Sequence, residues 1–320
     1  MILTCRSQPM PRSEAVRRHL AWLLQRFGYG LMRLLPDTRP ANLAVSQALY
    51  MWQNRRLANI AMPRHYSEHL MRFKLSADAR APEIARVTDK EALKSYVRER
   101  IGPGHTVETL ALLDDQRAVD GFRFPLPSVV KPAHSYSDVM FLRDRQPGRF
   151  ERRMLKFWLG KNFFYLGREP NYKTLKPRLI VERMLETAGS PPEDVKVFCF
   201  AGEPRFLQVD WQRYQGHRRD LYDMDGRRLA LAFRRPNAGR PFPFADRLDE
   251  IATIARALSA PFPFVRVDLY VLETAILVGE LTFYPTNCSQ LFRPVEADLE
   301  IARLFETPAA PLALPAGPVG

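Results

Sequence analysis

The chain is short of several things, and each shortage excludes a class of protein. Of its 320 residues only Cys5, Cys199 and Cys288 are cysteine, an odd number spread far apart. They give neither a disulfide framework nor a zinc-binding spacing, which points to a reducing compartment, the cytoplasm. Cys199 sits in an apolar run and reads as a small core hydrophobe. No apolar stretch is long enough to cross a membrane, and the first ten residues lack the apolar centre of a secretory signal. No internal repeat is present. Acidic residues are scarce at the start: residues 1–74 hold 12 Lys and Arg against Glu14, Asp37 and Glu68, a balance of +9 out of +13 for the whole chain. The positive excess belongs to an N-terminal module, and an anionic partner is expected for it.

Residues 13–35 carry apolar side chains at helical spacing: Val16, Leu20, Leu23, Leu24, Phe27, Leu31, Leu34 and Leu35. Arg18, Arg26 and Arg33 fall on the opposite face, Ser13 caps the start and Pro36 marks the end. Two readings are open: a helix packed on its own domain, or a basic amphipathic helix on an anionic membrane surface. Residues 41–75 read as further basic helix. Residues 88–100 read as another, ended by Gly102-Pro103-Gly104. Beyond 105 the pattern changes to short strands, at 128–131, 179–182, 195–200, 205–209, 265–271 and 276–283. Helices lie between them near 151–159 and 248–258. The mixture predicts an α+β architecture. The expected division is a basic helical region over 1–75, a main domain over 76–305, and a Pro/Ala-rich tail without fixed structure over 306–320.

The most informative stretch is a pair of strands. In the first, Val265, Val267, Leu269 and Val271 face one way and Arg266, Asp268 and Tyr270 the other. In the second, Glu280 and Thr282 share a face. Two carboxylates side by side repel unless a cation neutralises them, and Mg²⁺ is a hard ion suited to carboxylate and phosphate oxygens. Direct pairing of Asp268 with Glu280 requires a turn of odd length, such as 273–275; a two-residue turn sends Glu280 to the other face. The alternative is an exposed sheet face with scattered charges.

Arg266-Val267-Asp268 followed by Gly279-Glu280-Leu281-Thr282 resembles the metal-binding end of the ATP-grasp superfamily. D-alanine–D-alanine ligases carry Arg-x-Asp and then Glu-x-Asn there; Thr282 stands in place of that Asn, so the third metal ligand would be Thr282, Asn287 or water. Leu126-Pro127-Ser128-Val129-Val130-Lys131-Pro132 resembles the strand whose lysine contacts ATP phosphates. Thr88-Asp89-Lys90-Glu91-Ala92-Leu93-Lys94 resembles the helix whose second lysine also reaches phosphate. Leu179-Ile180-Val181-Glu182-Arg183-Met184-Leu185 resembles the linker strand that holds adenine by backbone groups. The runs 176–182, 194–204 and 279–285 are similar to the TupA-like, teichuronopeptide-biosynthesis branch. The resemblance covers roughly 60–300.

The resemblance implies an ATP-grasp fold, two α+β subdomains clasping ATP, with a basic helical N-terminal extension. It implies an ATP- and Mg²⁺-dependent ligase that activates a carboxylate, small or glycan-linked, for attack by an amine in envelope or capsular polysaccharide synthesis. Lys131 and Lys94 would hold phosphates. Arg183, Met184 and Leu185 would read adenine beside Glu182, and Asp194 would hold ribose. Asp268 and Glu280 would hold Mg²⁺, and Arg266 would stabilise the γ-phosphoryl group in transfer. One departure stands out. The loop after Lys131 (133–138) has no glycine to bring backbone N–H groups onto phosphate, and Asp138 would repel it, although His134, Ser135 and Ser137 can donate. Arg213, His217 and Arg219 are candidates for an anionic substrate or the γ-phosphate, or else form a solvated basic loop. His65 and His69 share metal-ligand spacing without a third ligand. Competing functions are a sugar kinase or glycan transferase on the same fold, and a non-catalytic ATP-binding member. Nucleic acid is not expected, because the basic excess is helical and precedes the motifs.

Overall fold

The computed structural model describes residues 2–5, 12–136, 138–186, 192–212 and 216–317. The strands are β1 Ile2–Cys5, β2 Thr109–Leu113, β3 Ser128–Pro132, β4 Val139–Leu142, β5 Leu179–Arg183, β6 Asp194–Phe200, β7 Glu203–Trp211, β8 Arg218–Tyr222, β9 Ala232–Phe233, β10 Phe264–Val271, β11 Ile276–Thr282 and β12 Phe292–Arg293. The helices are α1 Arg12–Leu34, α2 Arg39–Asn54, α3 Tyr66–Lys74, α4 Pro82–Thr88, α5 Lys90–Ile101, α6 Gln116–Gly121, α7 Arg149–Leu159, α8 Phe164–Gly167, α9 Leu248–Ser259 and α10 Val295–Arg303. They form two units that interleave along the chain. The first takes Met1–Val45, Arg80–Glu91 and Val107–Leu185; the second takes Ser46–Ala79, Ala92–Thr106 and Glu186–Gly320.

In the first unit the sheet order is β1-β4-β3-β5-β2, antiparallel except for β1 beside β4. Alternation along the strands makes one face apolar. Val130, Met140, Leu142 and Val181 pack there with Met154, Leu155 and Trp158 of α7. Val129, Lys131 and Glu182 fall on the other face. α1 is seated by Trp22 and Tyr29, whose rings meet Phe150 and Phe157 edge-on with centroids 6.0 Å apart. The Tyr29 hydroxyl accepts the Asn162 N–H at 2.8 Å. Buried Arg168 donates to the Met32, Leu35 and Pro36 carbonyls at 3.0–3.2 Å. It thereby satisfies acceptors that the end of α1 leaves open.

In the second unit the order is β11-β10-β6-β7-β8, all antiparallel. Val195, Val197, Leu207, Val209, Val265 and Val267 share one face, on the side of α9, whose Ile251, Ile254, Ala255 and Leu258 are buried. The other face is aromatic at one end, where Phe198 and Phe264 meet Tyr66 of α3 and Phe206 stacks on Phe198. It is polar at the other end, and the candidate site lies there.

Three expectations change. The helix over 41–75 is two helices with an irregular segment between them, because one carboxylate organises that segment. Glu68, buried in α3, accepts the Arg56 guanidinium at 2.6 Å and the N–H groups of Asn59, Arg64 and His65 at 3.0–3.1 Å. The helix over 88–100 starts at Lys90, because extended Asp89 caps the Glu91 N–H at 3.0 Å. The tail, expected to lack fixed structure, is ordered to Gly317. Ala316 bridges Leu229, and the Gly317 N–H donates to the Arg228 carbonyl at 2.7 Å.

Glu68→Ala is expected to lower stability by about 3–5 kcal/mol, since it leaves Arg56 and three amides without their acceptor. Burial opposes the charge on Glu68, but Arg56 and those amides hold its pKa below the usual carboxylate value. The folded pKa therefore lies below the unfolded one. The stabilisation is complete above about pH 5 and is lost as pH falls through the folded value. Thermal melts across the acid range check both the size and the direction, which should vanish in Glu68→Ala.

Candidate active site

Val271 pairs with Ile276, so the turn between β10 and β11 spans the four residues 272–275. An even turn puts Glu280 on the wrong face. A β-bulge restores the parity: Leu269 pairs with Val278 and Asp268 with Glu280, leaving Gly279 as the extra residue. A Cβ at Gly279 would lie 3.1 Å from the Tyr270 ring, so the bulge favours glycine. The expected odd-length turn is thus replaced by an even turn plus a bulge, and the two carboxylates end as direct cross-strand partners.

Register places further groups on the same face. Gln208, Lys196, Asp268 and Glu280 form one row across β7, β6, β10 and β11. Arg219, Asp210, Asp194 and Tyr270 form the next, across β8, β7, β6 and β10. Lys196, which sequence reasoning missed, sits at the centre. Its ammonium is 3.0 Å from Asp268, 3.5 Å from Asp194 and 3.9 Å from Asp210. Arg266 donates to both Asp268 oxygens at 2.6 and 2.7 Å and to the Thr282 hydroxyl at 3.2 Å. The Thr282 hydroxyl donates in turn to Glu280 at 3.2 Å. Arg219 reaches Asp210 at 2.6 Å, and His217 Nε2 lies 3.2 Å from the same oxygen.

The sheet face therefore gathers Asp194, Asp210, Asp268 and Glu280 against Lys196, Arg219 and Arg266, an excess of one negative charge when His217 is neutral. Burial opposes the charge on Asp210, but His217, Lys196 and Arg219 hold it well below the carboxylate range. Burial likewise opposes Arg266, but Asp268 and Glu280 hold its guanidinium protonated above its ordinary pKa. Glu193, next in sequence, is pushed up by burial and by Asp194 and Asp210.

Of the candidates on this unit, Asp268, Glu280, Arg266, Asp194, His217 and Arg219 share the polar face. Arg219 is not in a solvated loop; it is a buried residue of β8 that also donates to the Phe233 carbonyl at 3.0 Å. Arg213 lies outside the described residues. Asn287 accepts from Lys74 at 2.8 Å. His65 contacts Asp298 at 2.8 Å, whereas the His69 ring stacks on Phe305.

The first unit has its own set. Lys131 pairs with Glu182 at 2.6 Å. The following loop is pinned: the Lys90 ammonium donates to the Ser135 carbonyl at 2.6 Å, and the Ala133 carbonyl accepts the Lys90 N–H at 3.0 Å. His134 accepts the Arg178 N–H at 3.1 Å and sits 2.9 Å from the Lys161 carbonyl, so both ring nitrogens are committed to backbone rather than held out as donors. Asp138, expected to repel phosphate, is buried in an ion pair with Lys161 that neutralises it. The Ser135 hydroxyl is buried with no hydrogen-bond partner among the described residues. Ser137 lies outside them. The Arg183 N–H is taken by the Glu108 carbonyl at 3.1 Å, and its side chain pairs with Glu108 on the surface. Met184 and Leu185 follow it, half-buried; Lys94, half-buried on α5, belongs to the second unit.

Among the described residues, no group of three or more His, Cys, Asp or Glu is arranged to hold a metal ion. Asp268 and Glu280 supply two hard oxygen donors and Thr282 a third of different type, a set that fits Mg²⁺. Glu280 is the open member, 34% exposed, whereas both Asp268 oxygens are engaged by Arg266 and Lys196. Two orphaned buried atoms, the Ser135 hydroxyl and Gln208 Oε1, fit a polar ligand.

A family model described as TupA-like ATPgrasp matches residues 68–306. The chain belongs to the TupA-like ATP-grasp family. Its fold is the ATP-grasp fold, with added N-terminal helices. No curated protein matches the chain. Among solved structures it is similar to the D-alanine–D-alanine ligase from Bacillus anthracis complexed with ATP, at 14% identity and a TM-score of 0.33, over 62% of this chain and 54% of that one. It is similar to the ATP-grasp ligase PsnB complexed with a minimal precursor, at 12% identity and 0.38, over 75% and 66%. It is also similar to the D-alanine–D-alanine ligase from Helicobacter pylori, at 16% identity and 0.40, over 67% and 59%. The chain thus spans little more than half of the first of these and less than two thirds of the other two. No helix among the described residues is long and apolar enough to cross a membrane.

Proposed function

We propose that this TupA-like ATP-grasp protein is an ATP- and Mg²⁺-dependent ligase. It activates a small or glycan-linked carboxylate as an acyl phosphate for attack by an amine, in the cytoplasmic steps of envelope or capsular polysaccharide assembly. The observation that carries the reading is the cross-strand pair Asp268–Glu280 beside Arg266, on a face with one excess negative charge. On this reading residues 76–305 are the catalytic body and 1–75 an extension.

Lys131 and Lys94 hold phosphates as fixed charges, and the backbone from Arg183 to Leu185 takes adenine, with Glu182 orienting Lys131. Asp194 takes ribose. Glu280 and Asp268 would hold Mg²⁺, which would supply positive charge to neutralise phosphate oxygens. Arg266, beside Asp268, meets the charge on the phosphoryl group in transfer. His217 and Arg219, positioned by Asp210, face the acceptor, and Arg213 remains a further candidate for it from its sequence alone. The γ-phosphoryl passes to the carboxylate oxygen and ADP leaves; the amine then attacks the acyl carbon, loses a proton and expels phosphate.

Product analysis with candidate carboxylates and amines tests this. An amide formed with equal ADP and phosphate is expected. ADP formed with a phosphorylated sugar and no free phosphate would make the protein a kinase instead.

A further inference from the structure

The Trp22–Tyr29 face of α1 is fixed to its unit, and the opposite face is bare. Leu20, Leu24, Phe27, Leu31 and Leu34 form one continuous stripe along the helix, with Phe27 68% and Leu34 79% exposed. A stripe of large apolar side chains on the surface marks a docking site. Fraying does not explain it, because Arg168 caps the end of α1 from inside the unit.

Along the docked side of α1, away from the stripe, a groove runs where the helix meets α7. Trp22, Tyr29 and Phe157 form its aromatic walls, and Arg26, Arg33, Arg153 and Lys156 contribute four cations. Arg26 lies over the Trp22 ring at 4.9 Å and Arg33 over Tyr29 at 5.9 Å, so aromatic contact holds both guanidinium groups along the groove. Asp120, the acid bonded to Lys156, offsets one of the four.

We infer that α1 is a membrane-docking helix. Leu20, Leu24, Phe27, Leu31 and Leu34 enter the acyl boundary of an anionic phospholipid surface, and the α1–α7 groove receives the phosphate headgroups. Charge complementarity selects this occupant. The α1–α7 groove sets four cations against one acid, Asp120, and an anionic bilayer attracts that excess of positive charge. A second copy of the chain would bring the same charge against itself. The 4-3-4-3 spacing of the stripe suits a coiled coil, but it spans only two heptads, and a stable pairing needs about three or four. The helix then lies in the plane of the interface, with its docked face toward the protein. The residues involved are separate from those assigned to nucleotide, so this inference and the ligase reading fail independently.

Co-sedimentation of the full chain with vesicles is the test. Phosphatidylcholine vesicles containing about 30% phosphatidylglycerol are expected to bind it, and pure phosphatidylcholine vesicles to bind it at least tenfold more weakly. Leu24→Glu with Leu31→Glu should weaken binding to the anionic vesicles about tenfold or more, and Arg26→Gln with Arg33→Gln should do the same and reduce its salt dependence. The substituted leucines are exposed, so circular dichroism should match the parent chain. Absence of binding to anionic vesicles, or binding unchanged by both double variants, overturns the inference. So does a dimer in sedimentation equilibrium that Leu24→Glu with Leu31→Glu converts to monomer, which would assign the stripe to a second copy.

Discussion

Glu280→Gln is expected to remove nucleotide-dependent turnover, by roughly a thousandfold or more, while leaving the fold intact. Glu280 is the more open of the paired carboxylates and adds the excess negative charge to its face. Glutamine keeps the shape and can still accept from the Thr282 hydroxyl, but it no longer offers a charged oxygen to a divalent ion. Asp268→Asn should abolish turnover to the same extent with a different side effect. It leaves the buried charges of Arg266 and Lys196 without their shared carboxylate, a change that costs about 3–5 kcal/mol in comparable sites. A melting temperature that falls in Asp268→Asn and holds in Glu280→Gln, with activity gone in both, separates the chemical role from the structural one. Turnover within about tenfold of the parent in Glu280→Gln would remove that residue from the mechanism.

Lys131→Met is expected to weaken ATP binding about a hundredfold, since it deletes a fixed positive charge from the phosphate strand and methionine keeps the aliphatic stem. It also removes the 2.6 Å ion pair with Glu182, so a thermal melt is needed beside the binding measurement to show that the fold survives. Calorimetric titration of ATP reads the loss of affinity. ATP affinity equal to that of the parent would move the phosphate site elsewhere.

The elements that carry these residues were legible in the sequence where alternation was strong. The apolar/polar rhythm of 264–271 gave both the strand and the face of Asp268. The register of its partner was not, because the turn parity alone puts Glu280 on the wrong side; the signal that corrects it is the lone Gly279 inside a strand pattern. Lys196 was readable in the same way, since Asp194 and Lys196 alternate with Val195 and Val197. Its importance comes from Asp268, which is 72 residues away. In the loop 133–138 the sign of Asp138 argues against phosphate, and only tertiary contact brings Lys161 to neutralise it. Along α1 the periodicity found the leucine stripe but could not tell that Trp22 and Tyr29 would take the docking face. Glu68, one acid in a basic stretch, gave no sign of the four donors that converge on it.

Isothermal titration of ATP into the full chain, with Mg²⁺ and with excess chelator, tests the central claim most directly. The excess negative charge around Asp268 and Glu280 should repel the free triphosphate and welcome its Mg²⁺ complex. Binding should appear with the metal, fall at least tenfold without it, and lose that metal dependence in Glu280→Gln. Equal affinity with and without Mg²⁺, or no binding under either condition, would contradict it.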